Sequence, residues 1–137
     1  MKFTGLAHIC IFTDDIEKSK RFYVDNLGFK VTYETEIMRE DGVMKYALVR
    51  LGNLPIELLQ KPDGTRSEDS GKGKIDHFAI EVEEIEAVVA LLRERGVVFT
   101  TEVFTRESLL GGIKGAFFTG PNGENIELFE YTGTFRP

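Results

Sequence analysis

An α+β fold of two βαβββ units is predicted by three features of this 137-residue sequence. The chain repeats itself: HICIFTDDIEKSKRFY from His8 lies over HFAIEVEEIEAVVALL from His77 at an offset of 69 residues, and LPIELLQ around Glu57 matches ENIELFE around Glu127 at an offset of 70. One residue of slippage is what a loop insertion leaves in an internal duplication. The only two histidines open the two copies, and each is followed 49 or 50 residues later by a glutamate set in an apolar run. Finally, both copies show the same succession of alternating apolar runs, a capped helical pattern and turn signals.

The elements follow in order. Residues 6–12 form a short apolar run with β-branched members, and Asp14-Asp15 offers an N-cap for a helix reaching about residue 26. Gly28 stops that helix from a C′ position. Residues 29–38 alternate as a strand, Asp41-Gly42 signals a hairpin, 43–51 run back, and Gly52-Asn53 turns the chain into 54–60. The second copy predicts a strand at 75–82, a helix over 85–95 stopped by Gly96, and a strand at 97–104. A loop, a strand at 114–119, a turn at Gly120-Pro121-Asn122-Gly123 and a strand at 125–131 complete it. Between the copies, 61–74 (KPDGTRSEDSGKGK) is polar and rich in turn formers, a linker or flap. Residues 105–115, with Gly111-Gly112, form a second candidate loop or lid, and 132–137 read as a frayed tail. The expected organisation is one domain over 4–131, in modules of about 4–60 and 75–131.

Composition narrows the function classes. A hydrophobic content of 42% is that of a globular chain. No apolar stretch approaches a membrane span, and no secretory h-region opens the sequence, so a cytoplasmic protein is expected. The net charge of −6, with basic residues scattered, argues against nucleic-acid or anionic-membrane partners. A single cysteine, Cys10, leaves no intrachain disulfide and suits a reducing compartment.

Strand alternation places the candidate site. Ala7, Ile9 and Ile11 share one face of the first strand, Leu6, His8, Cys10 and Phe12 the other. Ile56 and Leu58 stand against Glu57 and Leu59; Phe78 and Ile80 against His77 and Ala79; Ile126 and Leu128 against Glu127 and Phe129. All four polar residues thus leave the sheet on the side away from the helices, where two curved half-sheets can enclose a cup. Taken singly, a strand histidine or glutamate is more often a hydrogen-bonded or solvated residue. Four at matched repeat positions point instead to a metal, because a carboxylate in an apolar strand is costly unless paired or metal-bound. The candidate ligands are His8, Glu57, His77 and Glu127, with Cys10, Phe12, Leu59, Ala79 and Phe129 as pocket wall. Nitrogen and oxygen donors without thiolates suit one divalent Zn, Ni, Co, Mn or Fe and leave positions for water or substrate.

The double βαβββ repeat with these residues, and the segments DIEKSKRFYVDNLGFKV and FFTGPNGENIELFE, resemble the vicinal oxygen chelate superfamily, which includes glyoxalase I, over residues 4–131. That resemblance implies a curved eight-stranded mixed sheet, and a homodimer in which sites are shared. It also implies a metal-dependent lyase or isomerase on a small-molecule substrate, stabilising an enediolate during proton transfer. Glu127 would be the general base, with Glu57 its partner. In glyoxalase I an Arg four residues after the first His and an Asn four residues after the first Glu help hold glutathione; Phe12 and Lys61 stand there in this chain. The alternative is a methylmalonyl-CoA epimerase-like racemase, which LGNLPIELLQKP also resembles, with Lys61, Arg66, Lys72 and Lys74 meeting nucleotide phosphates. A second alternative is a resistance-type binding module without catalysis. An extradiol dioxygenase or a fosfomycin-type transferase would use three ligands and leave Glu57 surplus.

Overall fold

The computed structural model describes residues 2–64, 75–119 and 125–136. Residues 65–74 of the expected linker, with Arg66, Lys72 and Lys74, and the expected turn at 120–123 lie outside them. The elements are β1 (Lys2–Phe12), α1 (Ile16–Arg21) continued by a π-helical turn (Phe22–Asn26), β2 (Lys30–Arg39), β3 (Gly42–Leu51), β4 (Leu54–Gln60), β5 (His77–Glu83), α2 (Ile85–Glu94), β6 (Phe104–Arg106), β7 (Ile113–Thr119) and β8 (Asn125–Tyr131). This is the α+β succession of two βαβββ modules in an eight-stranded mixed sheet. By contacts the chain divides into two compact units, one running from His8 to Asp76, the other combining the start of β1 through Ala7 with the chain from His77 on.

In the first unit the strand order is β2-β3-β4-β1, antiparallel except for the parallel pair β1/β4. Its core is Ile16, Phe29, Ala47, Val49, Ile56 and Leu58, with Ile11 and Tyr23 packed against it. Ile11, Ile56 and Leu58 are the ones that alternation assigns to the helix side. Asp15 caps α1 by accepting from Lys18 N at 3.1 Å, and Gln60, at the end of β4, accepts from Ile16 N at 2.8 Å. The expected single helix over 16–26 instead changes pitch at Phe22. Gly28, at φ +79, then delivers Phe29 N to Tyr23 O, a position that only a residue without Cβ fills without strain.

The second unit repeats the plan in the order β1-β5-β8-β7-β6, with β5/β8 parallel and the core formed by Val82, Ile85, Val88, Val89, Ala116 and Leu128. Here α2 has no cap from its own Glu84, which sits at φ +56. Glu130 supplies it, accepting from Glu84 N (2.9 Å) and Ile85 N (3.2 Å). Glu130 matches Gln60 at the repeat offset of 70, so each module uses the last residues of its carboxylate-bearing strand to cap its own helix. The strand expected over 97–104 forms only at Phe104–Arg106, after an isolated Phe99–Phe118 bridge. The reason is local: Thr101 Oγ1 accepts from Phe117 N, and Thr100 Oγ1 donates to Phe117 O, so threonine side chains compete with a regular ladder. After β8 the tail is not frayed through Arg136: Thr132 N donates to Gly112 O, and Arg136 lies over the Tyr131 ring.

The shared capping device predicts the cost of removing it. Gln60→Ala should destabilise the protein by about 1 kcal/mol and Glu130→Ala by about 1–2 kcal/mol, the latter losing two N–H partners and a negative charge at a helix start. Urea unfolding measures both, and equal stability of Glu130→Ala and the parent would refute the assignment.

Candidate metal centre

Each unit brings its own histidine and glutamate together. In the first, parallel pairing sets Cys10 against Glu57, so His8, two residues back on the same face, reaches the carboxylate: Nε2 lies 3.3 Å from Glu57 Oε1. In the second, Ala79 is set against Glu127, and His77 Nε2 lies 3.1 Å from Glu127 Oε1. All four side chains are buried, His8 to 1% exposure. They belong to neither helix-packed core, as alternation requires.

The donor chemistry fits a divalent cation. With metal–ligand bonds of about 2.1 Å, neighbouring donors on one ion stand about 3.0 Å apart at a right angle and about 3.4 Å apart at the tetrahedral angle. The observed separations fall in that interval. Each buried imidazole also partners its carboxylate, which offsets part of the cost of burying that carboxylate alone. Around the pairs, Cys10, Leu59, Ala79 and Phe129 are buried and Phe12 is half-buried. Lys61 Nζ stands 5.0 Å from the centroid of the Phe12 ring, so the two residues at the glutathione-associated positions form a cation–π pair.

Two neighbours of the carboxylates were missed by sequence reasoning. Tyr46, 2% exposed, donates its hydroxyl to Glu57 Oε2 at 2.8 Å. The signal existed: the two-residue turn at Gly52-Asn53 pairs Leu51 with Leu54 and so Tyr46 with Leu59, on the face of Glu57. In the other unit Gly115 pairs with Phe129 at the matching position. A Cβ on Gly115 would come within 2.5 Å of Phe104 Cζ and 3.0 Å of Glu127 Oε2. Phe104 stacks on Phe117, whose ring meets His77 edge-on at 5.0 Å.

Comparison with known proteins agrees with this fold. Residues 5–128 match the family described as the Glyoxalase/Bleomycin resistance protein/Dioxygenase superfamily. The uncharacterized protein YwkD of Bacillus subtilis is 37% identical over 134 residues, covering 95% of this chain and 99% of that protein. A probable lactoylglutathione lyase of Synechocystis is 31% identical over 129 residues, 91% of this chain and 94% of the other. The crystal structure of methylmalonyl-CoA epimerase from Mycobacterium tuberculosis superposes with a TM-score of 0.77 at 26% identity, over 93% of this chain and 88% of that one.

Close packing at Gly115 makes it a sensitive position. Gly115→Ala should destabilise the protein by about 1–3 kcal/mol through overpacking. Trimming the ring in Gly115→Ala/Phe104→Leu should recover part of that loss, as denaturant titration of the three proteins would reveal. No recovery would mean that the Phe104 contact is not the cause.

Proposed function

Because the chain belongs to the glyoxalase/bleomycin resistance protein/dioxygenase superfamily, we propose that it is a metal-dependent, glyoxalase I-like lyase or isomerase that moves a proton next to a substrate carbonyl. The observation that carries this reading is the recurrence of a buried His–Glu pair, at 3.3 and 3.1 Å, at matched positions of both modules. His8, Glu57, His77 and Glu127 are the proposed ligands, one pair from each module, and a homodimer with shared sites is the proposed assembly. A cytoplasmic setting is proposed with it; among the described residues no helix is long and apolar enough to cross a membrane.

A divalent ion in such a donor set acts as a Lewis acid on a substrate carbonyl oxygen and makes the neighbouring C–H acidic. The chain's residues do the rest. Glu127 is the base that accepts the carbon-bound proton and returns it to the adjacent carbon, with Glu57 its partner. The apolar residues Cys10, Phe12, Leu59, Ala79 and Phe129 exclude water, so the proton is returned rather than lost to solvent. Lys61, seated on Phe12, favours an anionic group on the substrate's carrier. The likeness to the mycobacterial epimerase favours a second reading, a methylmalonyl-CoA epimerase-like racemase, which uses the same proton chemistry on a different acyl carrier.

Metal-reconstituted protein should convert either the hemithioacetal of methylglyoxal with one of several thiols or methylmalonyl-CoA. Chelation should abolish turnover and a divalent ion restore it. Glu127→Gln should lower kcat by about 10²–10⁴-fold. His77→Ala should lose stoichiometric metal, read by elemental analysis. Native protein without stoichiometric divalent metal, and a His77→Ala variant that still binds the same ligands, would instead mark a binding module.

A further inference from the structure

One register position beside the carboxylates differs between the modules. On β3, Tyr46 stands opposite Leu59 and donates to Glu57 Oε2 at 2.8 Å; on β7, the matching residue is Gly115, opposite Phe129. We infer that Tyr46 is a positioning residue that fixes Glu57 with Oε1 toward His8 Nε2 and commits Oε2 to the phenol, making Glu57 the anchoring ligand of the pair. This rests on the metal-centre reading above and adds a role for Tyr46 within it.

The geometry supports the role. Oε1 is the oxygen 3.3 Å from His8 Nε2 and Oε2 the one bonded to Tyr46, so the carboxylate is gripped at both ends. Tyr46 is itself fixed: it is 2% exposed, and the edge of one ring meets the other where Tyr33 and Tyr46 pack at 6.1 Å. Hydrogen bonds that orient a ligating carboxylate raise metal affinity by holding it in its bound orientation, and losing one costs about 10–100-fold. A glycine carries no side chain to donate, so the β7 position cannot grip Glu127 in this way. Rotating Glu57 to take a proton would break the phenol bond, which disfavours Glu57 as a moving carboxylate.

Calorimetric titration of the metal-free protein with Co²⁺ tests this, using the parent, Tyr46→Phe, Glu57→Ala and the double variant. Tyr46→Phe should weaken Co²⁺ binding about 10–100-fold while the metal-free protein stays folded by circular dichroism. In the Glu57→Ala background the same change should cost nothing further, because Tyr46 acts through Glu57. Parent-like affinity in Tyr46→Phe, or an equal loss in both backgrounds, would overturn the positioning role and leave the metal centre standing. A parent protein that binds no Co²⁺ would overturn both. Should Tyr46→Phe not fold, fluorotyrosine-labelled parent replaces it: there are four tyrosines. The ¹⁹F resonance of Tyr46 should shift with Co²⁺ replaced by diamagnetic Zn²⁺ as titrant, in step with occupancy, and an unmoved resonance would reject the role.

Discussion

A carboxylate placed within the apolar face of a sheet is the constraint around which each module is organised. Removing it from water without a partner costs several kcal/mol. Each module meets that cost with an imidazole from the neighbouring parallel strand, His8 for Glu57 and His77 for Glu127. The solution works in one register only. Side chains alternate with period two, so a slip of one residue in β4 would turn Glu57 into the core of Ile56 and Leu58 and expose the apolar residues in its place.

Register is accordingly fixed from several directions. Thr13 N donates to Leu59 O just beyond the parallel pairing, the tight turn at Gly52-Asn53 locks β3 to β4, and Gln60 ties the end of β4 to the start of α1. Glu130 does the last job for β8 and α2. One short strand therefore does three things: alternate residues fill the helix-side core, the residue between them presents a carboxylate to the opposite face, and the residue three further on caps the helix. Burying Leu58 or Leu128 fully contributes about 1.5–3 kcal/mol each, so a few such residues offset what the polar face costs.

Elements whose logic is periodic were legible in the sequence, and those that depend on particular partners were not. Residues 54–60 and 125–131 alternate cleanly, and the observed strands begin and end where that pattern does. That each histidine leaves the sheet on the same side as its glutamate also followed from alternation and the repeat. The stretch 97–104 alternates too, yet Thr100 and Thr101 bind Phe117 through side chain and backbone, and only the last residue enters β6. The π-helical turn at Phe22–Asn26 leaves no periodic mark. Capping of α2 by Glu130 joins residues 45 and 46 apart in sequence, beyond the reach of a local cap rule. Tyr46 escaped because a lone tyrosine in a strand is unremarkable until hairpin register is combined with the face of Glu57.

The repeat supplies two matched carboxylates, whereas the proposed proton transfer gives them different roles. The helix side of the modules has kept its symmetry: Ile16 corresponds to Ile85, Leu58 to Leu128, Ala47 to Ala116, and all are buried in their cores. The opposite face has not. Tyr46 became the grip on Glu57, while Gly115 left room for the Phe104 ring beside Glu127. Packing resists change because each core residue touches many others, whereas on the opposite face the matched positions carry a tyrosine and a glycine. On the reading proposed above, a phenol can thus hold one of two matched carboxylates while the scaffold that positions both keeps its repeat.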